Sequence, residues 1–223
     1  MTASPPLHIA LLGAESTGKS QLGLALQEHL RLNTRLRPAL VTEYLREWCD
    51  REGRTPRPEE QAAIAQEQQV RAERAARDHD IVLHDTTPLM TAVYSDLLFQ
   101  DASLYPSALD FQRRMDANLV MALDLPWAAD PQRDGPHAQA PTDRLIRRAL
   151  LHARLDYSVV GGHGPDRLMQ ALNALGPLLR PHVSTGDGMF SRLMHRADSL
   201  GGEWRCEHCD DPACEHATRL QRR

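Results

Sequence analysis

The stretch LHIALLGAESTGKS, Leu7–Ser20, decides the fold. Leu7 to Leu12 is a short, mostly apolar run of the kind that forms a strand buried on both faces, and Gly13 ends it. From Gly13 the spacing is G-x-x-x-x-G-K-S, and Gln21 to Leu32 then carries Leu22, Leu24, Leu26 and Leu30 at roughly helical spacing. A strand, a glycine loop and a helix in this order form a phosphate-binding loop. The glycines let successive backbone N–H groups turn inward, the helix N-terminus adds partial positive charge, and the lysine reaches the β and γ phosphates of a nucleoside triphosphate. Phosphate contacts are expected from Gly13, Glu15, Ser16, Thr17, Gly18, Lys19, Ser20 and Gln21, with the Ser20 hydroxyl on Mg²⁺. Of the 26 basic residues 25 are arginine, and the one lysine, Lys19, sits where a compact ammonium fits between phosphates and a guanidinium fork does not.

Outward from the loop, strands continue to alternate with helices. Ala39–Thr42 is a second strand candidate, followed by a helix over Glu43–Asp50 with Tyr44, Leu45 and Trp48 on one side. Arg54–Pro58 reads as a turn. Pro58 with Glu59 and Glu60 has the composition of a first helical turn, and the helix is expected to run to about Arg77. Ile81–Leu83 is a third strand, ending in His84 and Asp85; Leu119–Leu123 is a fourth, ending in Asp124; Tyr157–Val160 is a fifth. Helices are expected at Thr142–Leu155 and Pro165–Leu175. The predicted architecture is α/β: a parallel P-loop sheet with helices on both faces, over residues 1–178, and a tail of residues 179–223. In the tail Met189, Phe190, Leu193, Met194 and Ala197 fit one amphipathic helix before Gly201 and Gly202.

The strand ends supply acids. Asp85 is the candidate for the magnesium shell, although Asp85-Thr-Thr-Pro88 equally suits the start of a helix. Glu43, closing strand two, is the candidate general base for an attacking hydroxyl, with Arg46 one turn on as a binder of polar or anionic substrate groups; the alternative is an exposed helix start. Asp124, followed by Leu-Pro, reads as a turn residue. Pro126 to Pro141 is too long for an ordinary connection. Its Arg133 is the candidate to close over the γ-phosphate, with Arg144, Arg147 and Arg148 as rivals, and its Trp127 either packs into the core or stacks on a ring.

Charge and composition narrow the classes. A net charge of −4 provides no general field for nucleic acid, and the N-terminal apolar run is far shorter than the roughly 20 residues of a membrane span. A cytoplasmic protein acting on a small molecule is the expectation. Four cysteines are too few for a disulfide scaffold, and three of them cluster. Cys206-x₂-Cys209-x₄-Cys214-x-His216 is a compact ligand set for structural zinc, a zinc-knuckle-like appendage in which His208 is the alternate fourth ligand. Residues 201–223 carry four arginines against five acids, which argues against nucleic acid and for docking on the chain itself or on a protein partner.

In order, GAESTGKS, VTEYLRE, IVLHDTT, LDLPWAADPQRDG and DYSVVGG resemble the ribosylnicotinamide kinase domain of NadR-type proteins and related P-loop ATPases, over about Leu7 to Leu175. The resemblance implies a parallel P-loop kinase sheet, ATP and Mg²⁺, and phosphorylation of a nicotinamide nucleoside on its 5′-hydroxyl. It implies substrate contacts around Glu43, Tyr44, Arg46 and Asp130, ring stacking by Trp127, and catalytic roles for Lys19, Glu43, Asp85 and Arg133. The chain departs from that family in reading Asp130-Pro-Gln-Arg133 where the family has a tighter Asp-Gly-x-Arg, and in its cysteine appendage. The second reading is an ATPase that acts as a switch, with a zinc-stapled tail that reads a partner.

Overall fold

A computed structural model of the chain describes residues 5–128 and 135–183. Strand β1 (Leu7–Leu12) becomes fully buried from Ile9 onward, and Ile9, Ala10, Leu11 and Leu12 have no exposed surface. An extended run with both faces apolar is stable only when covered on both sides, and parallel sheets with crossover helices provide that cover. Helix α1 (Lys19–Asn33) packs Leu22, Leu26 and Leu30 inward and leads to β2 (Pro38–Val41). Helix α2 (Tyr44–Glu52) ends at Gly53; a single 3₁₀ turn, Pro58–Glu60, then introduces α3 (Gln61–Asp78), in which proline and two acids stand where a helix start favours them. Strand β3 (Ile81–Asp85) is buried throughout. Helices α4 (Pro88–Phe99) and α5 (Tyr105–Gln112) connect it to β4 (Ala117–Met121), and α6 (Gln139–His152), β5 (Ser158–Val160) and α7 (Pro165–Leu179) complete the fold.

The five strands lie in the order β2-β3-β1-β4-β5, and all four neighbouring pairs are parallel. The predicted parallel α/β sheet is thus observed, with β2 one residue earlier than expected, at Pro38–Val41, α6 three residues earlier, at Gln139–His152, and β4 spanning Ala117–Met121 instead of Leu119–Leu123. Pairing with β1 starts at Ile9 opposite Ala117, so the neighbour's register, and not the apolar run, sets where the strand begins. Asn118 is accommodated inside it because its amide accepts from Gln112 Nε2 at 2.6 Å and donates to the Asp156 carbonyl at 2.9 Å.

After β1 the chain runs toward β2, and after β3 it crosses to the opposite side of β1 to form β4. This reversal between adjacent strands opens a crevice at their carboxyl ends, where open α/β sheets place their ligands. The loops after β1, β2, β3, β4 and β5 all issue from the same edge of the sheet. Among the described residues no helix is long and apolar enough to cross a membrane.

Candidate functional site

The loop after β1 is shaped by two glycines. A Cβ on Gly13 would lie 2.8 Å from Thr17 Oγ1 and 2.9 Å from Met121 Cβ, and Gly18, the residue before α1, has φ +77° with Leu125 2.8 Å from where its Cβ would be. Only glycine fits the first position, and the left-handed angle at the second lets the loop turn directly into the helix. The Thr17 hydroxyl donates to the Ala14 carbonyl at 2.7 Å, which fixes the turn from inside. Lys19 is 8% exposed, and its ammonium spans the loop, donating to the Gly13 and Ala14 carbonyls at 2.9 and 3.0 Å. Lys19 also lines the cavity beside the loop.

A second layer holds the loop from behind. Arg167, on α7, is 4% exposed; it donates from Nη1 to the Thr17 carbonyl at 2.8 Å, from Nε to the Gly162 carbonyl at 2.8 Å, and from Nη2 to the Asp124 carboxylate. Asp124 also accepts the Gly162 N–H at 2.6 Å. The expectation of Asp124 as a simple turn residue is corrected: its carboxylate joins the end of β4 to the β5–α7 loop and, through Arg167, to the phosphate loop. A planar fork with several fixed donors serves three acceptors at once, which a lysine ammonium cannot match in geometry. On the outer side the Ala128 N–H donates to Ser16 Oγ at 2.8 Å and Gln139 Nε2 to the Glu15 carbonyl at 2.9 Å.

At the end of β3, Asp85 is 3% exposed and pairs in register with Leu11, directly before the loop. Its Oδ1 is buried without a hydrogen-bond partner in the described structure. A buried carboxylate oxygen left over beside a phosphate loop, with the Ser20 hydroxyl lining the crevice, fits a hard divalent cation, whose preferred ligands are oxygens. Thr86 follows with φ +84°, a left-handed angle that is uncommon for a β-branched residue.

Glu43 stands between β2 and α2, and its backbone is held by one side chain. Gln68, 3% exposed on α3, accepts the Tyr44 N–H at 2.8 Å and donates from Nε2 to the Thr42 carbonyl at 3.1 Å and the Thr86 carbonyl at 3.3 Å. The two residues that flank Glu43 are thereby tied to the residue that follows Asp85. Thr42 and Glu47 close the same turn, with the Thr42 hydroxyl donating at 2.8 Å and Arg71 pairing with Glu47 at 2.6 Å; the Arg71 guanidinium holds the Glu47 carboxyl below its ordinary range.

These loops enclose one cavity of about 800 Å³. Its wall contains Glu15 to Gln21 of the phosphate loop, Glu43 and Arg46, and, on the far side, Tyr94, Phe99 and Trp127. Trp127 is half-buried on this wall and is not part of the core. Cys49 also reaches it, its thiol pushed up by burial first and by the nearby Glu43 carboxylate second. Tyr44 is placed elsewhere: its ring packs on the Trp48, Cys49 and Ile64 cluster, with the Arg71 guanidinium 4.3 Å from the ring centre. Gly13 and Asp85 are not among the residues that line the cavity. Of the rivals to Arg133, Arg147 is paired with Asp143 at 2.7 Å and Arg148 with Asp96 at 3.3 Å, and neither they nor Arg144 reach it. Asp130, Arg133, Cys206, His208, Cys209, Cys214 and His216 lie outside the described residues, among which no cluster of three His, Cys, Asp or Glu side chains is arranged to hold a metal.

Gln68 and Arg167 were not apparent as site residues in the sequence. For α3 a signal exists: Gln61, Ile64, Gln68 and Ala72 form its buried stripe, and two amides on a stripe that should be apolar mark positions with assigned partners.

A parallel sheet ordered 2-3-1-4-5, with a lysine-bearing phosphate loop after its central strand, defines a protein with the P-loop fold. The family follows from the sequence match, since residues 8–167 fit the model of an AAA domain and the chain belongs to that family. Among solved structures it is similar to NadR protein in complex with NR (TM-score 0.65, 20% identity, 77% of this chain and 50% of that one) and to NadR in complex with NAD and AMP-PNP (0.63, 20%, 77% and 49%). Thymidylate kinase from Candida albicans also shares the fold (0.55, 12%, 81% and 93%). The chain spans about half the length of the NadR chains. No curated protein matches the sequence.

Proposed function

We propose that the protein is an ATP-dependent kinase that transfers the γ-phosphoryl group to the 5′-hydroxyl of a nucleoside-like acceptor, with nicotinamide riboside the first candidate. The observation that carries this reading is the cavity of about 800 Å³: its lining combines the phosphate loop with a carboxylate, a guanidinium and aromatic rings. A volume of about 800 Å³ is at the upper end for a small-molecule site.

Lys19 and the loop N–H groups bind and orient the triphosphate. Glu43 accepts the acceptor's hydroxyl proton while the hydroxyl oxygen forms its bond to the γ-phosphorus and the bond to the β-phosphate bridging oxygen breaks, releasing ADP. Gln68 holds the backbone on both sides of Glu43, so the carboxylate needs little reorganisation on reaction. Ser20 and Asp85 would hold Mg²⁺, which when bound neutralises charge on the phosphates. Trp127 stacks on the acceptor's ring, with Arg46 and Asp130 as further contacts, and Arg133 closes over the γ-phosphate, which excludes water and protects ATP from hydrolysis. Cys206, Cys209, Cys214 and His216 hold a structural zinc ion in the tail of residues 179–223; less than about half an equivalent of zinc in freshly purified protein refutes that assignment.

The test is to mix the protein with ATP, Mg²⁺ and nicotinamide riboside. One ADP should appear per phosphorylated riboside. ATP hydrolysis with no phosphorylated product across a nucleoside panel refutes the kinase and favours the switch.

A further inference from the structure

Gly53 to Glu60 form a strap that joins α2 to α3. Surface connections of this kind are as a rule the mobile parts of a fold. This one is tied at both ends by one guanidinium. Arg54 donates from Nη1 to Glu60 Oε2 and from Nη2 to Glu60 Oε1, both at 2.7 Å, and its Nη1 also donates to the Thr55 carbonyl at 3.1 Å. The same guanidinium lies over the ring of Trp48, 4.8 Å from its centre, and Trp48 is 8% exposed on α2. Glu60 also accepts the Arg57 N–H at 2.7 Å; Arg54 first and that N–H second hold its carboxyl down at about 2, so the pair stays charged across the neutral range.

An exposed ion pair usually contributes little, because two long side chains lose freedom in holding one geometry. Here the pair is bidentate and one partner is stacked on a buried ring, which restricts the guanidinium before the carboxylate meets it. The chain between the clamped residues has little freedom of its own: Thr55 precedes a proline and is biased to extended backbone, and the Pro56 ring fixes φ. Thr55 and Pro56 both line the cavity, as do Cys49 on α2 before the strap and Gln61 on α3 after it. Glu43 stands at the other end of α2, and the ten residues from Glu43 to Gly53 cover about 15 Å along the helix. The clamp thus fixes the end of the α2–α3 wall that lies away from Glu43.

We propose that Arg54 is a positioning residue for the acceptor: by clamping the strap it presents Thr55 and Pro56 as a preformed edge for the part of the acceptor farthest from the reacting hydroxyl. The inference rests on the kinase reading above. With the clamp in place the acceptor meets a wall that is already ordered. Without it, binding has to order the strap, and that cost falls on acceptor affinity. Arg54 does not itself line the cavity, so its effect is exerted through the strap.

The experiment compares wild type, Arg54→Gln, Glu60→Gln and the double variant. Amide hydrogen exchange of the ligand-free proteins reads the strap. Steady-state kinetics with ATP and nicotinamide riboside, or with the member of the nucleoside panel that wild type phosphorylates, read the site. Arg54→Gln should speed exchange over residues 53–60, raise KM for the acceptor about tenfold, equivalent to about 1.4 kcal/mol, and change kcat and KM for ATP by less than about twofold. Glu60→Gln keeps an acceptor for the Arg57 N–H but loses the charge and one arm of the fork, and it should act in the same way. The double variant should cost no more than either single one, because both break one clamp. Faster exchange with an unchanged KM for the acceptor, a fall in kcat as large as the rise in KM, or unchanged exchange overturns the positioning role while the kinase reading stands. Additive effects in the double variant overturn the clamp as the cause. Should Arg54→Gln fail to fold, the Glu60→Gln result decides alone. A wild-type protein that phosphorylates no nucleoside overturns the kinase reading, and the acceptor role of Arg54 with it.

Discussion

Replacing Gln68 with leucine conserves volume and removes both ends of one amide. Three hydrogen bonds disappear, at 2.8, 3.1 and 3.3 Å, and they leave the Tyr44 N–H and the Thr42 and Thr86 carbonyls without that partner. At about 0.5–1.5 kcal/mol per bond, and less for the longest, the loss comes to about 2–4 kcal/mol. For a unit of this size, residues 1–182, that lowers the melting temperature by roughly 5–15 °C. The consequence for catalysis is larger and more selective. Thr42 and Tyr44 flank Glu43, so the carboxylate loses its fixed position while the phosphate loop, held by Arg167, keeps its own. A displacement of about 1 Å at a reacting group costs about 100-fold, so kcat should fall by about that factor with KM for ATP little changed. Steady-state kinetics with ATP varied at saturating acceptor, alongside thermal unfolding, measure both effects. A melting temperature within about 2 °C of wild type refutes the hydrogen-bond accounting; a rise in KM for ATP that matches the loss in kcat refutes the claim that Gln68 acts on the acceptor side alone.

Lys19→Ala should abolish transfer and weaken ATP binding without unfolding the chain, because the ammonium bonds only to two loop carbonyls; unchanged turnover would falsify the reading of the loop. Arg167→Lys keeps the charge but cannot serve Thr17, Gly162 and Asp124 together, so KM for ATP should rise about tenfold with KM for the acceptor constant, and combining it with Asp124→Asn should cost less than the sum of the two. His84, 1% exposed and 3.0 Å from the His8 ring nitrogen, is lowered to about 3 by burial first and by His8 and Arg114 after it. Its folded pKa is depressed below the ordinary 6.5, so the unfolded chain takes up a proton that the folded one refuses, and stability is full above pH 6.5 and declines as pH falls toward 3. Between pH 7.5 and 5.5 the loss from this residue is on the order of 1 kcal/mol, with a smaller share from the half-buried His8, and His84→Phe should flatten the decline; a variant with the wild-type slope excludes His84 as its source.

How far the sequence could be read follows the range of the interactions involved. The phosphate loop is a local object: its conformation depends on Gly13, Gly18 and the strand and helix that touch it in sequence, so spacing alone identifies Lys19 and Ser20. Strands β1 and β3 are equally plain, as apolar runs whose burial does not depend on which neighbour covers them. Strand β4 is misplaced by two residues because its start depends on β1, more than a hundred residues earlier. The same holds for side chains. Asp124 looked like a turn residue because its partner is 43 positions away on α7, and Gln68 is 24 positions from the backbone that it holds. Neither pairing leaves a periodic trace; each exists only once the strands lie side by side.

This difference in range also separates the two halves of the cavity in how they can change. The phosphate half is made of backbone N–H groups, with glycines where a Cβ would collide, and it tolerates few substitutions. The other half is lined by side chains on α2, α3 and α4, with Arg46, Gln61 and Phe99 among them. The phosphate loop reveals the fold because it is local, whereas the opposite wall of the cavity, assembled from α2, α3 and α4, is legible only in the folded chain.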